Sequence, residues 1–202
     1  MKLLNIIVAA GLAVPTIASA QNTAPQVNRD GTVWLFNEVV EIYWNNWSGE
    51  PYGRSAEGVS VNVTGEGKTA GFDGEYIVDC SSDRGFWVRA ANFGSVLAQS
   101  EISQIVPPQV VINARLAFCE LPLVQGYFEG ASSDERRDFQ ARLRQYGRYD
   151  GAIDGAWGPG TASGVLSVLA YYRAVGIGSQ LMTISDARQF ARGVIAEGII
   201  AD

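Results

Sequence analysis

Five glycines crowd the eighteen residues from Tyr149 to Leu166, "YDGAIDGAWGPGTASGVL", with apolar or aromatic side chains at fixed places between them. Glycine reaches positive φ and lets two backbones approach closely. Asp150 and Asp154 can accept hydrogen bonds from nearby amides in Asx-type turns. Such a stretch is a compact, irregular connection, and it constrains what lies on either side. Upstream, Ser132 with Glu135 three residues on makes a capping box. Phe139, Leu143 and Tyr146 then share one helix face, and Gly147 stands where a left-handed C-terminal cap belongs. Downstream, Pro159 suits a first helical turn, and Val165, Val168, Leu169 and Tyr172 form a second apolar face. The run therefore joins two short helices, with Ile153 and Trp157 as its plugs into them.

At these residues the chain resembles a family. "FQARLRQYGRYDGAIDGAWGPGTASGVLSVL", Phe139 to Leu169, is similar to the peptidoglycan-binding-domain repeat found at the ends of many bacterial wall enzymes. Gln140 and Leu143 match that family's first helix. Tyr149, Asp150 and Gly151 match its first turn, Ile153, Asp154 and Gly155 its second, and Gly158, Pro159 and Thr161 the start of its last helix. Gly164-Val165 matches the closing motif only in part, and Val168 and Leu169 depart from it. The resemblance covers roughly 40 residues. It implies a three-helix module that recognises peptidoglycan without catalysis, with Arg148, Tyr149, Asp150, Asp154 and Thr161 as ligand-binding positions. Gly151, Ile153, Gly155, Trp157, Gly158 and Pro159 would be structural. Aromatic faces, turn amides and guanidinium groups suit the sugars, amides and carboxylates of the wall. Arg136, Arg137, Arg142 and Arg144 join Arg148 as candidates, if some of them ring the loop.

The start of the chain, with Lys2, an apolar run from Leu3 to Val14 and Ala18-Ser19-Ala20, reads as a signal peptide over residues 1–20. The expected location is periplasmic or secreted, with no stable membrane insertion after cleavage. In that setting the only two cysteines, Cys80 and Cys119, should form a disulfide, worth roughly 4 kcal/mol on the chain-entropy account. The chain has no histidine, which excludes His-ligated zinc and Ser-His-Asp or Cys-His catalysis. A net charge of −6 without a basic stripe argues against nucleic acid. No cofactor and no metal are implied.

After a flexible lead-in at 21–29, residues 30–120 read as a small α+β domain in which helices flank an antiparallel sheet. "DGTVWLFNEVVEIYWNNW" has its polar residues at Asn37, Glu38, Glu41 and Asn45, a helical spacing. Its aromatics, Trp34, Phe36, Tyr43, Trp44 and Trp47, would bury that helix on the sheet or, alternatively, offer a platform to sugars. "VSVNVTG", "GEYIVDC" and "GFWVRAA" read as a three-stranded meander. A proline-led helix runs towards Cys119. Residues 121–131 form a connector, and 132–202 an all-α peptidoglycan-binding-like domain with an extra C-terminal helix. The reading of the whole is an exported envelope protein that binds peptidoglycan without being an enzyme. Two alternatives stand beside it. One is a wall hydrolase or lytic enzyme working through carboxylates, among which Glu75, Asp79 and Asp83 lie in the first domain. The other is a module that has lost wall binding and contacts another envelope protein.

Overall fold

The computed structural model describes residues 24–196, apart from 41, 83, 178 and 179. The expected signal peptide and Asp83 lie outside the described residues. Seven strands come first: β1 (Gln26–Val27), β2 (Val33–Val40), β3 (Tyr43–Ser55), β4 (Gly58–Gly67), β5 (Gly71–Val78), β6 (Gly85–Asn92) and β7 (Ser95–Val96). They form one antiparallel sheet in chain order. The helices follow: α1 (Gln99–Ile105), α2 (Pro108–Arg115), a π-helical turn (Leu116–Glu120), α3 (Leu121–Gly130), α4 (Ser133–Gln145), α5 (Pro159–Ala174) and α6 (Ile184–Ala196).

This order corrects the expected fold class. Among the described residues a seven-stranded antiparallel sheet is followed by helices that pack against it and one another, with no helix before the sheet. Every described strand precedes every helix, and the buried apolar residues, from Val33 to Val194, make one cluster. Val27, in the span expected as a lead-in, donates its amide to Ser163 Oγ of α5 at 2.9 Å. Leu121–Gly130, expected as a connector, is α3, with Leu121, Val124 and Phe128 buried.

The segment expected to be the first helix is instead the β2–β3 hairpin. Its Val, Trp, Phe and Tyr content fits a pleated surface, and a bulge between Trp34 and Phe36 breaks the simple alternation. Two of the polar residues that mimic a helix face, Glu38 and Asn45, find partners across the strands. Glu38 lies opposite Asn45, and buried Asn45 donates Nδ2 to Glu38 Oε2 at 3.2 Å and to Thr69 Oγ1 at 2.6 Å. The meander expected from the sequence is present as β4, β5 and β6. Val59, Val61 and Val63 face the core. Glycines in the strands make room for rings: a Cβ at Gly65 would stand 2.6 Å from the Trp47 ring and one at Gly74 2.7 Å from Phe72. Trp47, Phe72 and Trp87 then pack at centroid distances of 5.5 and 5.2 Å.

The π-helical turn has a local cause. Pro122 has no N–H to offer the carbonyl of Phe118, four residues back, and its ring crowds that carbonyl. The ladder widens, so that the Leu121 amide reaches back to Leu116 O, and Phe118 O accepts instead from Arg54 Nη2 of β3 at 3.3 Å. The widened turn points Cys119 and Glu120 into the interior, where both are buried. Cys119 is joined to Cys80, with Cα atoms 5.3 Å apart, a bond compatible with an oxidising compartment. No described helix is long and apolar enough to cross a membrane.

Glu120 is 2% exposed. Its Oε1 accepts from Arg173 Nη2 at 2.6 Å and lies 3.7 Å from Arg115 Nε, while Oε2 accepts from the Leu181 amide at 3.4 Å. Arg115 in turn donates Nη1 to the carbonyls of Asp79, at 2.7 Å, and Ser82, and Nη2 to that of Cys80 at 3.4 Å. The β5–β6 turn is thus stapled by the disulfide and by a guanidinium.

Removing one partner of a buried charge cluster leaves the others uncompensated, so Glu120→Ala should cost about 3–5 kcal/mol in urea denaturation. A loss below about 1 kcal/mol would show the cluster to be dispensable. The β5–β6 turn also makes a pH prediction. Asp79 accepts from Ser82 Oγ at 2.6 Å, from Ser81 Oγ at 2.7 Å and from the Ser81 amide at 2.8 Å. These bonds lower its pKa from the ordinary 3.8 to about 2. A lowered folded-state value stabilises the native state above pH 3.8, and that contribution disappears as the pH falls towards 2. The difference in melting temperature between the parent and Asp79→Ala should therefore be full at neutral pH and shrink across that window. A constant difference would contradict it.

Candidate binding site at the glycine loop

α4 begins with the expected capping box. The Ser132 hydroxyl accepts from the Glu135 amide at 3.3 Å, and Glu135 Oε2 accepts from the Ser132 amide at 3.0 Å. It ends at Gly147, whose φ is +66°, with the Arg148 amide reaching back to Leu143 O at 2.8 Å. The chain then crosses to Gly158, which precedes Pro159 at the start of α5.

The loop is built around Gln140, which is fully buried on α4. Its Nε2 donates to Ala156 O at 2.9 Å, Thr161 Oγ1 at 3.1 Å and Asp154 Oδ1 at 3.3 Å. Its Oε1 accepts from the Gly155 amide at 2.8 Å. Gly155 is buried with a φ of +73°, a conformation that only glycine adopts cheaply. Asp154 Oδ1 also accepts from the Ala156 amide at 2.8 Å, and these two bonds lower its pKa. Asp154 and Thr161 are thus brought together on Gln140, where they shape the loop, Thr161 buried and Asp154 exposed.

Trp157 packs edge-on to Phe128 of α3 at 5.2 Å. Ile153, expected as the second plug, is 36% exposed, so the plugging falls to Trp157. Gly164 answers another close approach: a Cβ there would stand 2.6 Å from Arg148 O.

Arg148, Tyr149 and Asp150 lie on the rim. The Tyr149 ring covers Gly151 and Gly160, and its hydroxyl donates to Ala152 O. Arg144 donates to Gly151 O and has its guanidinium 6.0 Å from the Tyr149 ring centre. Arg148 Nη1 donates to Ser167 Oγ at 3.1 Å and sits 5.8 Å from the Tyr171 ring. Asp150 is exposed. The other arginines point elsewhere: Arg142 Nε donates to Ile195 O of α6 at 2.9 Å, and Arg137 pairs with Asp134 at 3.8 Å. Arg136 is half-buried against the Gly155 backbone.

Of the carboxylates considered for hydrolysis, the described ones, Glu75 and Asp79, do not converge on a cleft. Glu75, on the face of the sheet away from the core, accepts from Tyr52 and, at 3.4 Å, from Arg89 Nε. Asp79 caps its turn. Among the described residues no group of three or more acidic or cysteine side chains could hold a metal ion. The residue whose role sequence reasoning missed is Gln140. Its signal was present: a polar side chain between Phe139 and Leu143, on the apolar side of an otherwise charged helix.

Gln140→Leu keeps the volume but leaves the buried Gly155 amide without its acceptor, worth about 1–3 kcal/mol when buried unpaired. We expect a stability loss of about 1–3 kcal/mol in denaturation and faster amide exchange at Gly155 and Ala156. Unchanged exchange at both would show that the lock lies elsewhere.

Comparison with family models, with curated proteins and with solved structures finds no match for this chain.

Proposed function

We propose that the chain is an exported envelope protein, periplasmic or secreted, that holds peptidoglycan without catalysing a reaction, through the rim of the glycine loop. The observation that carries the reading is the Gln140 lock. It satisfies the loop's inward polar groups and so fixes the outward ones before any ligand arrives, which lowers the ordering cost of binding. Arg144 and Arg148 offer guanidinium donors of the kind that suit wall carboxylates. Tyr149 offers a ring edge and face for sugars, and Asp150 an acceptor for peptide amides. The resemblance of Phe139–Leu169 to the wall-binding repeat points the same way, and the disulfide is compatible with the location.

The test is sedimentation of the chain with purified sacculi, scored for bound protein and for released muropeptides. The parent should pellet without release. Arg148→Ala with Asp150→Ala should melt within a few degrees of the parent and bind about tenfold or more weakly, since each lost charged contact is worth roughly 1.5–3 kcal/mol. Release of muropeptides would overturn the non-catalytic reading. A parent that stays in the supernatant would overturn wall binding itself and leave protein contact as the role of the rim.

A further inference from the structure

α4 has a second working side. Glu135 and Arg142, seven residues apart on this helix, face α6, whereas Gln140 faces the loop. Between Glu135, the end of α3 and α6 lies a cleft of 220 Å³, whose lining includes Gly126, Gly130, Tyr127, Glu135, Arg188 and Arg192. The sequence gives no hint of it, because its groups come from three segments. Arg188 and Arg192 stand one turn apart on α6, and neither guanidinium makes a hydrogen bond or closes an ion pair with a described residue. The Tyr127 hydroxyl is buried without a partner, although nearly all buried polar groups in folded proteins have one. Glu135 is held in place by Ser132, whose amide and hydroxyl donate to its Oε2 at 3.0 and 2.9 Å. Those bonds, and then the fields of Arg192 and Arg188, keep its pKa below the ordinary value.

The scaffold keeps these charges apart. Ala187, Ala191 and Val194 anchor α6 in the core. Asp186 caps its start by accepting from the Thr183 amide at 2.8 Å and the Met182 amide at 3.0 Å. Arg142 ties down its far end through Ile195 O. Gly126 and Gly130 leave the floor without side chains.

We propose that this cleft binds an amino-acid zwitterion, a single carbon bearing an ammonium and a carboxylate. The carboxylate lies on Arg188 and Arg192, and the ammonium lies against Glu135. A simple anion meets the repulsion of Glu135, and a simple cation meets two guanidiniums; only a species with both charges satisfies all three. The volume falls below the roughly 300–1,000 Å³ of sites for drug-sized ligands, so the occupant is small. Free amino acids carry this group, and so do wall peptides that end in an unlinked diamino acid. The site is independent of the loop and stands whether or not the rim binds peptidoglycan.

The experiment is an NMR titration of the full chain with alanine, with a wall stem peptide ending in diaminopimelate, and with acetate and methylammonium as single-charge controls. Alanine or the peptide should shift the Gly126 and Gly130 amides saturably, at least about tenfold more tightly than either control, a difference of one 1.4 kcal/mol step. The tighter of the two identifies the source. Arg188→Gln with Arg192→Gln should abolish the effect at an unchanged melting temperature. Glu135→Gln retains the helix cap, since glutamine serves at that position, and should erase the preference for alanine over acetate. The proposal is overturned if acetate binds as well as alanine, if the arginine pair can be replaced without loss, or if nothing shifts those amides.

Discussion

A carboxylate in the middle of the molecule sets the terms for the rest. Taking a lone Glu120 out of water is prohibitive unless cations and amides come with it. Arg115 comes from α2, Arg173 from α5 and the Leu181 amide from the approach to α6. Arg115 extends the network into the sheet by capping the β5–β6 turn. One side chain therefore connects strand turn, helix and helix, and these elements cannot shift independently without exposing a buried charge. The inward aim of Glu120 depends on the π-helical turn. Each residue in a helix advances by about 100°, so without the widened turn at Pro122 the carboxylate and the neighbouring Cys119 would not both face the interior.

The same anchoring explains why two short helices and a glycine-rich loop can present a defined surface. Helices of this length are marginal alone. α4 gains its support from Phe139 and Leu143 in the core, from Arg142 on α6 and from Gln140 in the loop. The loop backbone uses the freedom of glycine where it must, at Gly147 and Gly155, and hydrogen bonds to one glutamine fix it elsewhere.

Much of the helical half was legible in the sequence because its signals are local. The capping box at Ser132 and Glu135, the cap at Gly147, the proline of α5 and the Asx turn at Asp154 each lie within a few residues of their effect. The β2–β3 hairpin was not legible. Two of its polar residues, Glu38 and Asn45, satisfy one another across strands, and a bulge disrupts the alternation that marks a strand. A period of three to four residues then imitates a helix. The cysteine pair was readable from number and compartment alone, whereas the arginine cluster beside it was not, since Arg115, Glu120 and Arg173 are brought together only by the π-helical turn and the packing of α5. At the site, Asp154 and Thr161 were found as positions, but whether they face ligand or loop depends on Gln140, and pattern does not show orientation.

Buried polar groups divide the molecule into settled and unsettled parts. Gln140 uses both its amide nitrogen and its oxygen, and Glu120 both its oxygens. Trp47 Nε1, Arg136 Nε and the Tyr127 hydroxyl have no partner. In a low-dielectric interior such groups are costly, but the three differ in their surroundings. Trp47 sits among rings in the sheet core, where its apolar contacts dominate, and Arg136 lies against the loop backbone. Tyr127 lies beside a cleft that also carries two guanidiniums and a fixed carboxylate, but its hydroxyl is sealed from it, so the charges of the cleft and the deficit of the phenol are separate features of the same corner of the fold.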